Sequence, residues 1–381
     1  MSPTPHLTPS PSDAVREAVA SAAKHAAEAE ADRRLSPDVV DLVVAAGFAR
    51  HFVPARWGGT AGTFGTLLPS VALLGESCAS TAWFASLAAG VGRLAAYLPP
   101  EGQRDIWRDG PDTLIVGALA ASGSAERVPG GWRVRGQWPY VSGVGSSTWA
   151  LVCARATDGD RQHPRFFAVP REAYGVTDSW FNVGLRATGS NTLTLDETTV
   201  PDTHSVALAD LLGGEAPEAE AACHRVPMKA ANGLTLAAPL LGAARGALRH
   251  WSALVRAKLQ GPGAAITGTA DRTPYELTLA RSDGEIDTAA LLLERVAAVV
   301  DRGPVDPLLT ARNGRDCALA AETLAGAVDR LLRSSGSRGQ SDSEDLQRFW
   351  RDVNAGAGHS GLQFPSGATA LVRESRVIDA P

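Results

Sequence analysis

The residues of this chain whose types and spacing could do chemistry fall in a few short stretches. His359 stands in Gly358-His359-Ser360-Gly361. An imidazole there titrates near neutrality, so it can give or take a proton. Earlier in the same segment lie Arg348, Arg351 and Asp352. At about 100° per residue, an unbroken helix would carry His359 to within about 20° of Asp352 and of Arg348, and all three would share one face. Gly356 and Gly358 weigh against an unbroken helix. Ser142-Gly143 sets a hydroxyl beside a turn residue, just after Trp138 and Tyr140. Thr188-Gly189-Ser190-Asn191 offers backbone amides and hydroxyls that could hold a phosphate or a polyol.

Each of these has a plainer reading. A lone histidine in a helical segment is more often structural, and Trp138 by itself reads as sheet core. Ser142-Gly143 is also an ordinary turn. Arg348 and Arg351 could solvate a helix, with Arg348 pairing Asp352 one turn on. Thr188 to Asn191 could be a tight strand connection.

Familiar chemistries drop out on spacing. Gly143-Val144-Gly145-Ser146-Ser147-Thr148 lacks the third glycine of a dinucleotide fingerprint. Gly358-His359-Ser360-Gly361-Leu362 fails as a nucleophile elbow at its last position. The 8 histidines show no tight pairing, so no metal is expected. Cys78, Cys153, Cys223 and Cys317 lie far apart with no zinc or disulfide spacing, which favours a reducing, cytoplasmic setting.

The elements that must position these residues change character twice. From Asp13 to about residue 98 the chain is Ala-rich and helical, with Ser36 as N-cap, Pro37 at the first helical position and Gly47 past the last turn. Short β-rich runs follow at 114–119, 132–140, 148–154, 165–169 and 192–195, with turns at Pro129-Gly130-Gly131 and Asp158-Gly159-Asp160. Helical patterning returns in segments near 233–258, 273–302, 306–333 and 343–373, with Thr273-Pro274 as an N-cap and first-turn pair. This order predicts an α+β fold: a disordered lead over 1–12, a helical domain over 13–110, a central β domain over 111–220 and a helical bundle over 221–381.

The 381 residues, 44% of them hydrophobic, allow a sizeable core without covalent staples. A polar, proline-rich start does not read as an export signal, and apolar stretches break before about 20 positions accumulate, so no membrane partner is expected. A net charge of -5 with mixed signs makes nucleic acid a poor partner.

Gly130-Gly131-Trp132-Arg133-Val134-Arg135-Gly136-Gln137-Trp138 running into Val141-Ser142-Gly143, then Gly184 to Asn191, then Leu346 to Asp352, together resemble the acyl-CoA dehydrogenase superfamily. Gly58-Gly59 and Ser80-Thr81-Ala82-Trp83 fit as well. The resemblance implies a central β-barrel or sandwich packing a flavin between an N-terminal helical domain and a C-terminal four-helix bundle. In the dehydrogenases a Tyr-Glu-Gly stretch after the Arg-Asp pair supplies the catalytic base. Here that place reads Gly358 to Gly361 with no carboxylate, which would forfeit about 10²- to 10⁴-fold of rate. A histidine there, with Trp-x-x-x-Ser-Gly at 138–143, is similar to the two-component flavin-dependent monooxygenases of this fold, among them phenol hydroxylases, amino-sugar N-oxygenases and indole oxygenases.

That resemblance implies reduced FAD, or FMN, taken from a separate reductase, and reaction with O2 through a C4a-hydroperoxide to oxygenate an aromatic substrate. It implies His359 and Ser142 as catalytic residues. Trp138, Tyr140, Ser142, Gly143, Thr188, Ser190, Asn191, Arg348 and Arg351 would contact the cofactor, and Trp83, Val91 and Ser122 the substrate. The small residues Ala88-Ala89-Gly90-Val91-Gly92 stand where the phenol hydroxylases carry a histidine, which favours a bulky ring such as an indole. A homotetramer or homodimer is implied, while a desaturating flavoenzyme and an amino-sugar N-oxygenase are the alternatives.

Overall fold

The computed structural model describes residues 12–261 and 271–376. The lead expected at 1–12 lies outside them except for Ser12, whose Oγ accepts from the Val15 N–H at 3.3 Å and caps the first helix. Five helices come first: α1 (Asp13–Asp32), α2 (Pro37–Ala45), α3 (Phe64–Gly75), α4 (Ala79–Ala95) and α5 (Pro100–Ile106). Their boundaries follow local chemistry. Pro37 opens α2 after Ser36, and Gly47 beyond it takes a φ of 85° that glycine adopts freely. α1 buries Ala18, Ala22, Ala26 and Ala29, a stripe of small side chains at helical spacing. α4 is buried on almost every side, so its Ala, Gly and Ser content is what lets its neighbours approach.

Seven strands form one sheet: β1 (Ile115–Val128), β2 (Gly131–Val141), β3 (Trp149–Asp158), β4 (Arg161–Pro170), β5 (Gly175–Thr177), β6 (Asn191–Pro201) and β7 (Ser205–Ala207). Their order is β5-β6-β2-β1-β3-β4-β7. Among the described residues only β1 and β3 run parallel; every other neighbouring pair is antiparallel. Two breaks in register matter below. The β1–β3 ladder skips between Ala118 and Gly123, and the β2–β6 ladder between Trp138 and Val141. The sheet core holds Trp132, Val134, Trp138, Val141 and Phe167, each at most 2% exposed.

After α6 (Leu208–Gly213) the chain is helical: α7 (Met228–Gln260), α8 (Thr273–Val300), α9 (Pro307–Ser334), α10 (Asp345–Ala357) and α11 (Phe364–Ser375). α3 and α7 cross closely at Gly242, where a Cβ would lie 2.1 Å from the Ala72 carbonyl oxygen. One extended cluster of buried side chains runs through α1 to α4 and α7 to α10, joining both helical ends of the chain into one core.

Three expectations are corrected. The segment expected as helix over 343–373 is two helices, because α10 stops at Ala357 and Pro365 opens the next. Thr273 is the first residue of α8 rather than its cap; Asp271 Oδ1 instead accepts from the Thr273 N–H at 2.9 Å. The three-residue strands β5 and β7 have no counterpart among the predicted runs, being too short to show a period.

Candidate active site

A cavity of about 580 Å³ opens where α4, the irregular interval of β1, the end of β2, the 180–190 loop, α7 and the residues after α10 meet. The register breaks build part of its wall. Leu119, Ala120 and Ser122 line it from the interval skipped in β1, and Pro139 and Tyr140 from the interval skipped in β2. Tyr140 takes a φ of 65° and is 72% exposed, its ring edge-on to Trp180. Leu94, Leu114, Val116 and Leu236 make the depth of the cavity apolar.

A row of polar groups runs along one side. Trp83 Nε1–H donates to Ser142 Oγ at 3.2 Å, Ser142 Oγ lies 2.8 Å from Ser190 Oγ, and Ser190 Oγ lies 2.6 Å from Thr188 Oγ1. Thr188 Oγ1 then donates to the Leu185 carbonyl at 2.7 Å, which also accepts Trp180 Nε1–H at 2.9 Å. Gly143 makes the row possible. Its N–H donates to the Thr188 carbonyl at 2.8 Å, and a Cβ on it would stand 2.6 Å from the Phe84 ring. Leu185 is held in a left-handed conformation, φ 51°, which costs a non-glycine residue about 1–2 kcal/mol. What holds it is Asp352, whose Oδ1 accepts the Leu185 N–H at 2.6 Å. Burial, and secondarily the charge of Glu30, pushes the Asp352 carboxyl up to about 7, against the Leu185 hydrogen bond and the nearby Arg348 and Arg351.

His359 enters from the other side. Its Nδ1 accepts the Gly361 N–H at 3.0 Å, so the neutral ring carries its proton on Nε2. The ring reaches the open cavity, yet the protein packed around it lowers its pKa by desolvation. It lies 5.8 Å from the Trp83 ring, centroid to centroid, so Trp83 touches both His359 and the hydroxyl row. Among the described residues no Asp, Glu, Lys or Arg lines the cavity, and no cluster of residues could hold a metal ion.

Residues 234–364 match the family model "Acyl-CoA dehydrogenase, C-terminal domain". Over 351 residues the chain is 30% identical to the flavin-dependent monooxygenase oxygenase subunit HsaA of Rhodococcus jostii, covering 88% of this chain and 90% of that protein. The chain belongs to the flavin-dependent monooxygenase oxygenase subunits. A second member, the oxygenase component of the FADH(2)-dependent resorcinol hydroxylase of a Rhizobium species, is 30% identical over 91% of this chain and 89% of its own. XiaF of a Streptomyces species, solved with FADH2 and glycerol, superposes with a TM-score of 0.86 at 28% identity, covering 97% of this chain and 95% of that one.

In this oxygenase subunit the expected site residues separate into two groups. His359, Ser142, Thr188, Ser190, Tyr140, Trp83, Val91 and Ser122 all line the cavity. Gly143 stands beside it and serves through its backbone. Others are spent elsewhere. Trp138 lines the cavity from within the sheet core, with no exposed surface and its Nε1–H donating to the Cys153 carbonyl at 2.6 Å. Asn191 uses its Oδ1 to cap the N–H groups of Ser179 and Trp180. Arg348 pairs with Asp345 at 3.0 Å, and Arg351 bridges Glu30, Gln347 and the Val183 carbonyl. His359 does not share a helical face with Arg348 and Asp352, since the helix ends before reaching it.

Sequence reading missed Trp180 and Leu185, which close the hydroxyl row, and Asn232 with Thr235 on α7. The last two carried a signal: a polar pair three residues apart in an otherwise apolar stretch. The lining suits the ring end of a flavin, which needs flat apolar walls and a few polar contacts at one edge. The lack of a cationic residue among the described lining makes it unsuited to the phosphates.

Proposed function

We propose that this subunit takes reduced flavin from a separate reductase and uses O2 to hydroxylate an aromatic small molecule. Reduced flavin, when bound, supplies the electrons that activate O2. The observation that carries the reading is the pairing across Trp83 of a hydroxyl row with a lone imidazole, in a cavity without a carboxylate among the described residues. A desaturating flavoenzyme of the acyl-CoA dehydrogenase kind would need a carboxylate base, which the described lining does not hold.

In this reading Ser142 meets the N5 edge of the ring, Ser190 and Thr188 support it, and Gly143 leaves room for the close approach. With its pKa lowered from the ordinary imidazole value, His359 presents Nε2–H to the reacting groups and acts as a hydrogen-bond donor. The apolar depth keeps water from the oxidising species. Reduced FAD is the preferred cofactor, with FMN able to serve where the ring contacts dominate. Ala88, Gly90 and Val91 leave width at the α4 wall, which supports a bulky ring such as an indole over a small phenol. Leu277 and Leu291, each 67% exposed on one face of α8, support a homodimer or homotetramer, which light scattering on the purified protein measures.

The deciding experiment supplies enzymatically reduced FAD and measures O2 uptake with product analysis on indole, a simple phenol, an amino-sugar nucleotide and an acyl-CoA. Oxygenation of an aromatic ring is expected. Oxidation of the thioester with an artificial acceptor, or turnover of the amino sugar alone, would sink the reading.

A further inference from the structure

The hydroxyl row beside the cavity has a direction. The Leu185 oxygen is a carbonyl and can only accept, and the single hydroxyl proton of Thr188 goes to it at 2.7 Å. The 2.6 Å contact between Thr188 and Ser190 must then use the proton of Ser190. By the same elimination the 2.8 Å contact between Ser190 and Ser142 uses the proton of Ser142. Every hydroxyl proton is committed toward Leu185. Trp83 Nε1–H occupies one lone pair of Ser142 Oγ at 3.2 Å. What Ser142 has left for the cavity is one lone pair and no donor.

We propose that Ser190 and Thr188 are positioning residues whose hydroxyls hold Ser142 as an acceptor toward the cavity, and that they set how strongly the site prefers reduced over oxidised flavin. The inference rests on the reading above that Ser142 meets the N5 edge. In reduced flavin N5 carries a proton, which the free lone pair of Ser142 accepts. In oxidised flavin N5 has only a lone pair, so two acceptors face each other unless Ser142 turns its proton away from Ser190 and gives up that bond. Reversing the row as a whole also costs one bond, because the Leu185 carbonyl cannot donate and would lose the Thr188 hydroxyl. That carbonyl also accepts Trp180 Nε1–H at 2.9 Å, and the Leu185 backbone is pinned through its N–H by Asp352.

One buried neutral hydrogen bond corresponds to a change of about five- to tenfold in relative affinity. The test is anaerobic titration of the purified protein with oxidised and with reduced FAD, giving the ratio of the two dissociation constants. Ser190→Ala and Thr188→Val each release the proton of Ser142 toward the cavity, and each is expected to compress the ratio about five- to tenfold by tightening the oxidised form. Thr188→Ser keeps the hydroxyl and should keep the wild-type ratio. A second readout needs no variant: the two-electron potential of FAD bound to the wild-type protein should lie above that of free FAD.

An unchanged ratio in Ser190→Ala and Thr188→Val, including a parallel loss of both affinities, would overturn the inference while leaving the flavin site standing. So would a bound potential at or below the free value. Failure of the wild-type protein to bind either form of FAD would instead remove the functional reading, and the inference with it.

Discussion

Replacing Asp352 by asparagine should make this protein more stable at alkaline pH, although it removes a charge beside two arginines. Asp352 is 2% exposed, and its carboxyl is pushed up from 3.8 to about 7. The group therefore holds its proton more tightly folded than unfolded. Its contribution is most favourable below about pH 4 and is lost as pH rises to about 7, where keeping the charge buried costs about 4 kcal/mol. Asparagine retains an Oδ1 for the Leu185 N–H, held now at 2.6 Å, and carries no charge to desolvate. Arg348 and Arg351 lose a favourable neighbour, which trims the gain. Urea unfolding of Asp352→Asn and wild type at pH 5, 6, 7 and 8 should show a stability gap that opens with pH toward about 2–4 kcal/mol. Asp352→Ala should lose about 1–3 kcal/mol at pH 5, because the Leu185 N–H is left without an acceptor, and that loss should shrink as pH rises and wild type comes to bury the charge. If Asp352→Asn is the less stable protein at pH 8, or its gap to wild type is flat across pH, the account of this carboxyl is wrong.

Four further outcomes are expected. Nitrogen NMR of His359 should show a bare Nδ1 and a protonated Nε2, titrating below 6.5; with the folded pKa depressed, the stability this residue contributes is present above pH 6.5 and falls away as pH drops through the lowered value. His359→Asn should cut hydroxylation by about 10²-fold with little change in reduced-flavin affinity, as read from single-turnover product yield. Gly143→Ala should cost about 1–3 kcal/mol in urea unfolding, since its φ is 74° and the new methyl meets the Phe84 ring; trimming Phe84 to leucine should recover part of that loss. Val91→Phe narrows the α4 wall and should lower kcat/KM for indole about tenfold more than for a simple phenol.

The order of helices, sheet and helices was legible because its punctuation is chemical: Ser36-Pro37 before one helix, Gly47 after it, and Pro129-Gly130-Gly131 at the hairpin between β1 and β2. The grouping of His359, Ser142, Thr188 and Ser190 was legible only through motif likeness, since residues so distant in sequence share no local pattern. Direction was not legible at all. Nothing in the letters shows that Arg348 and Arg351 turn to Asp345 and Glu30, or that the Trp138 indole N–H is already spent. The end of α10 was half visible, in Gly356 and Gly358. That the histidine itself caps the following turn, and so fixes its own tautomer, required the backbone path.

The Leu185 peptide ties the loop before β6 to a helix made much later in synthesis, and this sets when the cavity can be completed. Trp83 leaves the ribosome before the serines, and Asp352 follows Leu185 by 167 residues. Until then the Leu185 N–H lacks its acceptor, and the cavity lacks a side. A chain that has not yet made α10 thus lacks one wall of the cavity, which is completed in one docking event across a long stretch of polymer.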